Sequence, residues 1–347
     1  MSRLFQQIRI LIIGLLVWVA CSSPAPEART FTIASYNVEN LFDAVYDGTE
    51  YDDYVPGSAQ GWGQKMADIK AANTATAIGA INADIVCLQE VESETALKNL
   101  LVRLNTPKQR YPFYAITRTP TPVRCALVST FPIVSTEDIK PGEGQRAILK
   151  AVLSIDGKRL TLFVCHWKSK SGPESRRIPY AAALRKAIEK LPPNTDFVIT
   201  GDLNANYNEH QTFVNVARFN DTQGVTGINH VIKTLRNGVL VDETVLTASP
   251  NELLLYNLWL ELPEYQRWSY NFFGKKESPD NMLVPRSLYD KKGIDYVDNS
   301  FDRVNADLFF DNNRVYRWQR ADRGKGRHLG KGYSDHLPIR AMFTTLP

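Results

Sequence analysis

The chain has 347 residues, 44% of them apolar, which is enough to bury a large core in one big domain or two small ones. Its formal charge is +4, and two of the positive charges, Arg3 and Arg9, lie at the extreme N-terminus. Without these two arginines the formal charge is about +2. A charge this small does not by itself indicate binding to duplex nucleic acid.

Residues 1–21 are predicted to be an export signal rather than part of the fold. A short basic start precedes the apolar run 10–20, which is shorter than the roughly 20 residues of a membrane span. The run ends in Val-Ala-Cys-Ser-Ser around Cys21 and resembles a bacterial lipobox, with Trp18 where leucine is usual. We therefore expect an exported protein, either an outer-membrane lipoprotein or a periplasmic or secreted protein. A plain signal peptide and an uncleaved anchor are the alternatives, and residues 22–30 are predicted to be a tether.

From residue 31 onward, β-branched apolar runs alternate with segments of helical periodicity. Strands are predicted at 31–36, 84–88, 113–117, 124–130, 146–155, 159–165, 197–200, 281–285 and 339–344, and helices at 64–82, 93–104 and 175–191. Asp156-Gly157 predicts a tight hairpin turn. The pattern predicts an α/β fold in which two packed mixed sheets are covered by helices, within one domain over 31–347.

Three further cysteines, Cys87, Cys125 and Cys165, lie inside strand-like runs. This placement predicts buried thiols rather than a disulfide framework. No pair of them has the spacing of metal ligands.

Five polar islands follow apolar runs along the chain. They are Ser35-Tyr36-Asn37, Leu88-Gln89-Glu90, Cys165-His166-Trp167, Gly201-Asp202-Leu203-Asn204 and Ser334-Asp335-His336. Polar groups at one end of several buried strands converge on one cleft, because a sheet interior does not tolerate them. Imidazole, carboxylate and amide groups in such a cleft suit a divalent metal and a phosphate. The set predicts metal-assisted phosphoester hydrolysis.

Each island taken singly has a structural alternative. Asn37 is a typical turn residue, Glu90 fits a structural carboxylate, and His166 fits a satisfied core histidine. In the fourth island Gly201 allows the chain to turn and Asp202 supplies a base. The last island looks like a Ser-Asp-His triad, but adjacent residues do not present their side chains in relay order.

In order, the motifs Ser-Tyr-Asn-Val-Glu-Asn, Leu-Gln-Glu-Val, His-Trp-Lys-Ser-Lys, Gly-Asp-Leu-Asn-Ala and Ser-Asp-His resemble the endonuclease/exonuclease/phosphatase superfamily over roughly 31–345. The resemblance implies the deoxyribonuclease-I-like fold, a four-layer α/β sandwich, and looks closest to secreted bacterial nucleases. Segment 268–284 resembles the part of that family that carries a further aspartate, which places this residue on Asp280. Asn281 stands where the family usually has His or Arg, and Asp295 is the rival of Asp280.

The resemblance also implies a role for each matching residue. Glu90, with Asn37 close by, holds Mg²⁺ or Mn²⁺, and Asp335 also touches a metal. Asp202 orients or deprotonates the attacking water, and Asn204 steadies the phosphate.

Two histidines are expected to donate to phosphate oxygens as charge develops, each held in place and kept protonated by a carboxylate. The implied pairs are His166 with Asp280 and His336 with Asp335. Arg146, Lys168 and Arg176 are the expected substrate-binding cations, although a surface salt bridge is an alternative for Arg146.

The function implied is an exported Mg²⁺-dependent phosphodiesterase, foremost an endonuclease acting on DNA or RNA. A phospholipid, sphingomyelin-like or sugar-phosphate substrate would keep the same chemistry, and a non-catalytic surface binding protein is the third alternative. The expected partners are nucleic acid or another phosphodiester, and the membrane through a lipid anchor, with the protein a monomer. The basic glycine-rich run 323–332 and the aromatic residues Tyr51, Tyr54 and Trp62 are further candidates for substrate contact.

Overall fold

The computed structural model describes residues 28–107, 110–272 and 274–346. The predicted export signal at 1–21, with Cys21, and most of the tether lie outside these residues. Over the described part of the chain, no helix combines the length and the apolar character needed to cross a membrane.

Strands account for most of the regular structure. They are β1 (Thr30–Leu41), β2 (Ile85–Val91), β3 (Phe113–Ile116), β4 (Arg124–Ser129), β5 (Ile133–Ile139), β6 (Ile148–Ile155), β7 (Lys158–His166), β8 (Phe197–Asp202), β9 (Leu235–Arg236), β10 (Val239–Leu240), β11 (Tyr256–Asn257), β12 (Tyr270–Phe272), β13 (Lys275–Glu277), β14 (Asp280–Val284), β15 (Ile294–Tyr296), β16 (Asp302–Arg303), β17 (Phe310–Asp311), β18 (Arg314–Val315) and β19 (Ile339–Thr345).

The helices are α1 (Gln64–Ile81), α2 (Glu94–Leu104), α3 (Ile178–Ile188), α4 (Glu209–Thr212) and α5 (Glu243–Ala248), with a single irregular turn at Ala321–Gly324. Short 3-10 turns lie at Asp52–Tyr54, Glu174–Arg176, Leu258–Glu261, Glu264–Gln266, Arg286–Tyr289 and Asp307–Phe309, and a π-helical turn lies at Gly227–Val231.

Two large sheets share one design. The first has the order β15-β19-β1-β2-β4-β3, with β16 also paired to β19, and the second has the order β11-β14-β8-β7-β6-β5. The central pair is parallel in each sheet, β1 with β2 and β8 with β7, while the flanking pairs are antiparallel. Both sheets are therefore mixed, as the sequence predicted.

Successive side chains of the central strands point to opposite faces of their sheet, and this divides the core into layers. Phe31 and Ile33 of β1 pack against side chains of the second sheet such as Leu162. Their neighbours Ala34 and Tyr36 point the other way, toward α1 and α2. On the far side of the second sheet, Phe163 and Cys165 of β7 pack against α3. This order of helices, sheet, sheet and helix is the four-layer sandwich expected from the sequence.

Several local predictions are confirmed, and some elements differ from the prediction. Asp156 and Gly157 both have positive φ, as a tight hairpin turn requires, and the three predicted thiols are buried and free. Strand β5 was not predicted because it is a largely exposed edge strand with polar residues at its centre. Helix α3 begins later than predicted because a 3-10 turn precedes it.

The topology brings the polar islands to one edge of the sandwich. The regular parallel pairing reaches Asn37, opposite Gln89 and next to Glu90, in the first sheet, and it reaches His166 and Asp202 in the second. Strand β14 runs antiparallel to β8, so its first residue, Asp280, lies opposite Asp202. Strand β19 likewise runs antiparallel to β1, with Ile339 opposite Ser35. The residues just before β19 therefore lie beside the later part of β1, where Ser334 Oγ donates to Asn37 O at 2.7 Å.

Candidate active site

Four side chains from the two central parallel pairs meet at this edge. The amide nitrogen of Asn37 lies 3.2 Å from Glu90 Oε1 and 3.1 Å from Asp202 Oδ2. His166 Nε2 lies 3.7 Å from the same oxygen of Glu90 and 3.6 Å from that of Asp202. The structure thus brings together residues that are up to 165 positions apart in the chain.

The orientation of Glu90 depends on an irregularity in β2. Its backbone φ is +66°, and the pairing of β2 with β4 shifts register between Leu88 and Val91. A non-glycine residue with left-handed backbone conformation at an irregularity in a strand turns its side chain away from the direction that a regular strand would give it. The hydrophobic pattern predicted the strand but carried no signal for this break.

Asn37 occupies the centre in a different role from the one expected. Its Nδ2 donates to both Glu90 and Asp202, while its Oδ1 accepts from the backbone N–H of Glu39 at 3.1 Å. An amide nitrogen that carries hydrogen is not a metal ligand. In this geometry Asn37 positions the two carboxylates instead of binding a metal through its oxygen.

The two histidines do not have the expected carboxylate partners. His336 Nδ1 lies 2.7 Å from Asp280 Oδ2, which also accepts a hydrogen bond from Ser269 Oγ at 2.6 Å. Asp280 therefore supports His336 and not His166, and Asp335 is not the residue that holds His336. The predicted pairing was wrong because Asp280 begins β14 at the edge of the second sheet, and an isolated bridge between Tyr270 and His336 brings the segment before β19 next to it.

The two imidazoles consequently differ in charge. Burial opposes protonation of His336, but the negative charges of Asp280, Asp202 and Asp335 hold its pKa well above the usual value. Burial and the positive charge of Arg146 hold the pKa of His166 well below the usual value. His336 is therefore a cation near neutral pH and His166 is neutral, whereas both were expected to be protonated.

Arg146 approaches the centre from the start of β6. Its Nη1 lies 2.7 Å from both ring nitrogens of His166, and its Nη2 donates to the carbonyl of Trp167 at 3.2 Å. The alternative of a surface salt bridge does not apply, because its neighbours here are an imidazole and a carbonyl.

A basic cavity opens beside Arg146. It has a volume of about 650 Å³ and is lined by Arg146, Lys168 and Arg176 together with Tyr51 and Tyr180. No carboxylate among the described residues lines it. All three cations predicted from the sequence to bind substrate therefore share one cavity next to His166.

Asn204 holds the loop that follows β7. Its backbone N–H donates to Asp202 Oδ1 at 2.8 Å, and its Nδ2 donates to Trp167 O at 3.2 Å. Its Oδ1 accepts from the backbone N–H of Lys170 at 3.3 Å. Asn204 thus fixes Asp202 and the His166 loop together.

Asp335 belongs to a charged network that sequence reasoning missed. Its Oδ2 lies 3.4 Å from Arg317 Nη2, and the same guanidinium binds Glu39. Lys70 of α1 also interacts electrostatically with both carboxylates; it is fully buried and donates to Tyr333 O at 2.7 Å. Glu39 lies in the Ser-Tyr-Asn-Val-Glu-Asn motif but was not a sequence candidate, and no local pattern marks the cations.

Other sequence candidates lie away from the centre. Asp295 pairs with Thr344, level with Thr30 at the opposite end of β1 from Asn37, so Asp280 is the aspartate at the site. Asn281 is buried, and its Nδ2 donates to three backbone carbonyls, which gives it a structural role.

The aromatic residues predicted to contact substrate differ in their exposure. Tyr54 and Trp62 are buried in an apolar cluster and cannot stack on a substrate, whereas Tyr51 is 42% exposed and lines the basic cavity. In the run 323–332, His328 is buried and accepts from Trp318 Nε1 at 2.8 Å, while Arg323 lines a neighbouring cavity of about 480 Å³.

A separate group of acids follows β1 and β2. Ligand atoms of Asp47, Glu50 and Glu92 lie within 4.8 Å of one another. Burial raises the pKa of Glu92 to about 8, despite a hydrogen bond from the backbone of Asp43. None of these residues was a sequence candidate, and none belongs to the group around Glu90.

The donor set at the centre fits a hard divalent cation. Burial raises the pKa of Glu90, and the negative charge of Asp335 raises it further. Carboxylates that repel one another in a buried site are stabilised by a cation, and Mg²⁺ prefers one or two carboxylates with water and phosphate oxygens. Glu90 and Asp335 are the residues here that would hold it.

The sequence profile described as the Endonuclease/Exonuclease/phosphatase family matches residues 32–239. No match to the chain was found among curated proteins.

Solved structures share the fold at low identity. Humanised TDP2 from D. rerio has a TM-score of 0.56 and 16% identity, covering 91% of this chain and 99% of that one. An endonuclease/exonuclease/phosphatase family protein from Bacteroides thetaiotaomicron has a TM-score of 0.53 and 14% identity, covering 92% and 99%. A mannosyl-6-phosphatase from the same organism has a TM-score of 0.50 and 14% identity, covering 90% and 99%.

Proposed function

The chain belongs to the endonuclease/exonuclease/phosphatase family, and from this premise we propose that it is a Mg²⁺-dependent phosphodiesterase that cleaves DNA or RNA internally. One observation carries the proposal: the His336–Asp280 ion pair and the basic cavity flank the group formed by Glu90, His166 and Asp202. Members of this family are generally hydrolases of phosphoester bonds and usually depend on a divalent metal. Mn²⁺ would serve in place of Mg²⁺, because both accept oxygen ligands.

Each side chain has a task in hydrolysis. Asp202 is fixed through Oδ1 by the backbone of Asn204, and it accepts the proton of the attacking water. His336, protonated and held by Asp280, donates to a phosphate oxygen as negative charge grows in the transition state. Neutral His166 donates a second hydrogen bond. A Mg²⁺ held by Glu90 and Asp335 would supply Lewis-acid stabilisation of the same charge.

The basic cavity favours an extended phosphodiester over a small monoester. Arg146 reaches the scissile phosphate beside His166, while Lys168 and Arg176 line the same cavity and suit a neighbouring phosphate. Tyr51 offers an exposed ring for stacking on a base. One structure that shares the fold, D. rerio TDP2, was determined with a single-strand DNA product. The apolar run 10–20 and Cys21 support export and anchoring to a membrane.

The function is tested by measuring Mg²⁺-dependent hydrolysis of plasmid DNA, RNA, sphingomyelin and a hexose 6-phosphate side by side. We expect internal cleavage of plasmid DNA or RNA by the wild type and its loss in Asp202→Asn. Hydrolysis of lipid or hexose phosphate alone would reject the nuclease assignment in favour of the second substrate class. Equal rates for the wild type and the Asp202 variant would reject the site itself.

Replacing Lys168 and Arg176 together with alanine is expected to raise KM for a short oligonucleotide by up to roughly 30-fold, because ion pairs at exposed positions such as these contribute up to about 1 kcal/mol each. KM for bis(p-nitrophenyl) phosphate, which carries a single phosphate, should stay near the wild-type value. The double variant Lys186→Ala/Lys190→Ala removes the same charge from exposed positions at the end of α3. Equal changes in both double variants would show that only net charge matters.

Activity is expected to fall as the pH drops through the pKa of Asp202. Burial raises this pKa to about 6, although the charge of nearby His336 lowers it. Protonated Asp202 cannot accept a proton, so kcat/KM should be present above this pKa and lost below it. A bound cation favours the ionised carboxylate, so the midpoint should move to lower pH as Mg²⁺ increases. A midpoint that does not respond to Mg²⁺ would contradict the placement of the metal on Glu90, whose carboxylate shares the Asn37 amide with Asp202.

A further inference from the structure

A second cavity adjoins the candidate site beside Glu90. This Arg323 cavity has a volume of about 480 Å³, and Asn40 and Arg317 lie in its lining. The backbone N–H of Asn40 donates to Glu90 Oε2 at 3.0 Å, and Arg317 Nη2 lies 3.4 Å from Asp335 Oδ2. The cavity therefore begins at residues that contact two carboxylates of the candidate site.

The Arg323 cavity and the basic cavity meet at Tyr51, which lines both. The basic cavity reaches the centre through Arg146, which lies beside His166. His166 Nε2 lies 3.7 Å from Glu90 Oε1. A strand whose scissile phosphate lies at Glu90 and His166 thus has one cavity on the Glu90 side and another on the His166 side.

Arg320 holds the wall of the Arg323 cavity in place. Its guanidinium pairs with Asp53, to which Nη2 donates at 2.8 Å. The same side chain donates to the carbonyls of Gly326 at 3.1 Å and Lys325 at 3.3 Å. These bonds join Asp53 to the chain just after the irregular turn Ala321–Gly324. The wall is therefore held by the protein itself, and binding a ligand there requires little reordering.

The Arg323 cavity has a surplus of one positive charge. Its lining contains three arginines and two carboxylates, which are Arg317, Arg320, Arg323, Glu39 and Asp53. Arg317 binds Glu39, and Arg320 binds Asp53. Arg317 also approaches Asp335, and the buried Lys70 interacts with that carboxylate as a further cation. Arg323 is the cation of the lining that remains for a ligand.

Arg323 lies at an unusual point of the backbone. Asp322 and Arg323 are both left-handed, with φ of +51° and +55°. Left-handed residues other than glycine persist only where the surrounding structure holds them, and they cluster at ligand-binding sites. Both side chains are exposed, and so is Lys325, whose charge offsets that of Asp322. The turn therefore presents Arg323 to solvent at the cavity.

We propose that the Arg323 cavity binds the phosphate that neighbours the scissile phosphate on the side away from Lys168 and Arg176, with Arg323 as its cation. The inference rests on the proposed function, because it takes the substrate to be a strand with several phosphates. Contacts between cations and phosphates position a strand without reading its sequence. The enzyme thus contacts three successive phosphates and prefers a tetranucleotide to a dinucleotide.

The test uses tetranucleotides whose middle linkage is an ordinary phosphodiester. Each outer linkage is either a methylphosphonate, which is neutral, or a phosphorothioate, which keeps its negative charge, and both resist hydrolysis. Because the middle bond is the one that is cleaved, each outer linkage reports on the charge of one flank. For the wild type we expect KM to rise when either flank is neutral, by up to roughly fivefold at the Arg323 cavity, since an exposed ion pair contributes up to about 1 kcal/mol.

The variants assign each flank to a cavity. KM for Arg323→Ala should no longer respond to the charge of one flank but should still respond to the other, and Lys168→Ala/Arg176→Ala should show the reverse. Arg314→Ala is the matched control, because Arg314 is an exposed arginine of β18 that lines neither cavity. It should respond to both flanks as the wild type does. Arg323 is exposed, so Arg323→Ala is expected to fold, and circular dichroism checks this.

The outcomes separate this inference from the proposed function. If Arg323→Ala still responds to both flanks, or loses its response at the same flank as the Lys168/Arg176 variant, the Arg323 cavity is not a phosphate subsite, although cleavage of the strand stands. A wild type that responds to only one flank leads to the same conclusion. A wild type that leaves the middle linkage intact, even with both flanks charged, would overturn the inference and the proposed function together.

Discussion

Replacing His336 with glutamine is expected to lower kcat by about 10²–10³-fold, the range observed when one donor to a developing oxyanion is removed. Glutamine retains a donor for Asp280 but loses the positive charge that this carboxylate stabilises. Because the charge acts on the transition state, KM should change much less than kcat. The measurement is steady-state hydrolysis of bis(p-nitrophenyl) phosphate at saturating Mg²⁺.

Two companion variants sharpen this result. Asp280→Asn removes a negative charge that raises the pKa of His336. The histidine of this variant should therefore lose its proton at a lower pH, and activity should fall at a lower pH than in the wild type as the pH rises. His230→Gln changes a histidine whose Nδ1 accepts from the backbone of Thr226, and it should leave kcat unchanged. If His336→Gln were as active as His230→Gln, His336 would not act as the cationic donor.

The sequence was sufficient to predict which strand ends meet. Asn37, Glu90, His166 and Asp202 each follow a buried apolar run, and such runs at the centre of a mixed sheet place their polar ends together. These positions depend on local hydrophobic patterning and on the pairing of central strands. Both leave a clear mark in the sequence.

The partners of these residues were less predictable, because contacts between distant segments decide them. Asp280 reaches His336 only because β14 pairs with β8 while the bridge at Tyr270 draws in the chain before β19. Lys70 lies in a helix, where a lysine is usually solvated, and its burial results from the packing of Trp318 and Tyr333 over α1. Neither arrangement has a local signal.

The glycine before Asp202 illustrates a constraint that was only partly visible. Sequence reasoning assigned Gly201 to a turn, but the residue lies inside β8, paired with Cys165 of β7. Its φ is +132°, and a Cβ at this position would lie 2.1 Å from the carbonyl oxygen of Cys165. Two parallel strands therefore approach each other here more closely than any side chain permits, between His166 and Asp202.

Gly201→Ala is accordingly expected to lower the free energy of unfolding by about 3 kcal/mol or more, since backbone strain and overpacking each cost roughly 1–3 kcal/mol. Urea unfolding measures the change. Gly157→Ala is the matched control, because its φ is +82° but nothing lies within 4 Å of the added carbon. That variant should lose roughly 1–2 kcal/mol from strain alone. Equal losses of unfolding free energy in the two variants would contradict a clash with Cys165. A larger loss for Gly201→Ala, together with a lower kcat of the folded protein, would show that the close approach of β7 and β8 sets the distance between His166 and Asp202.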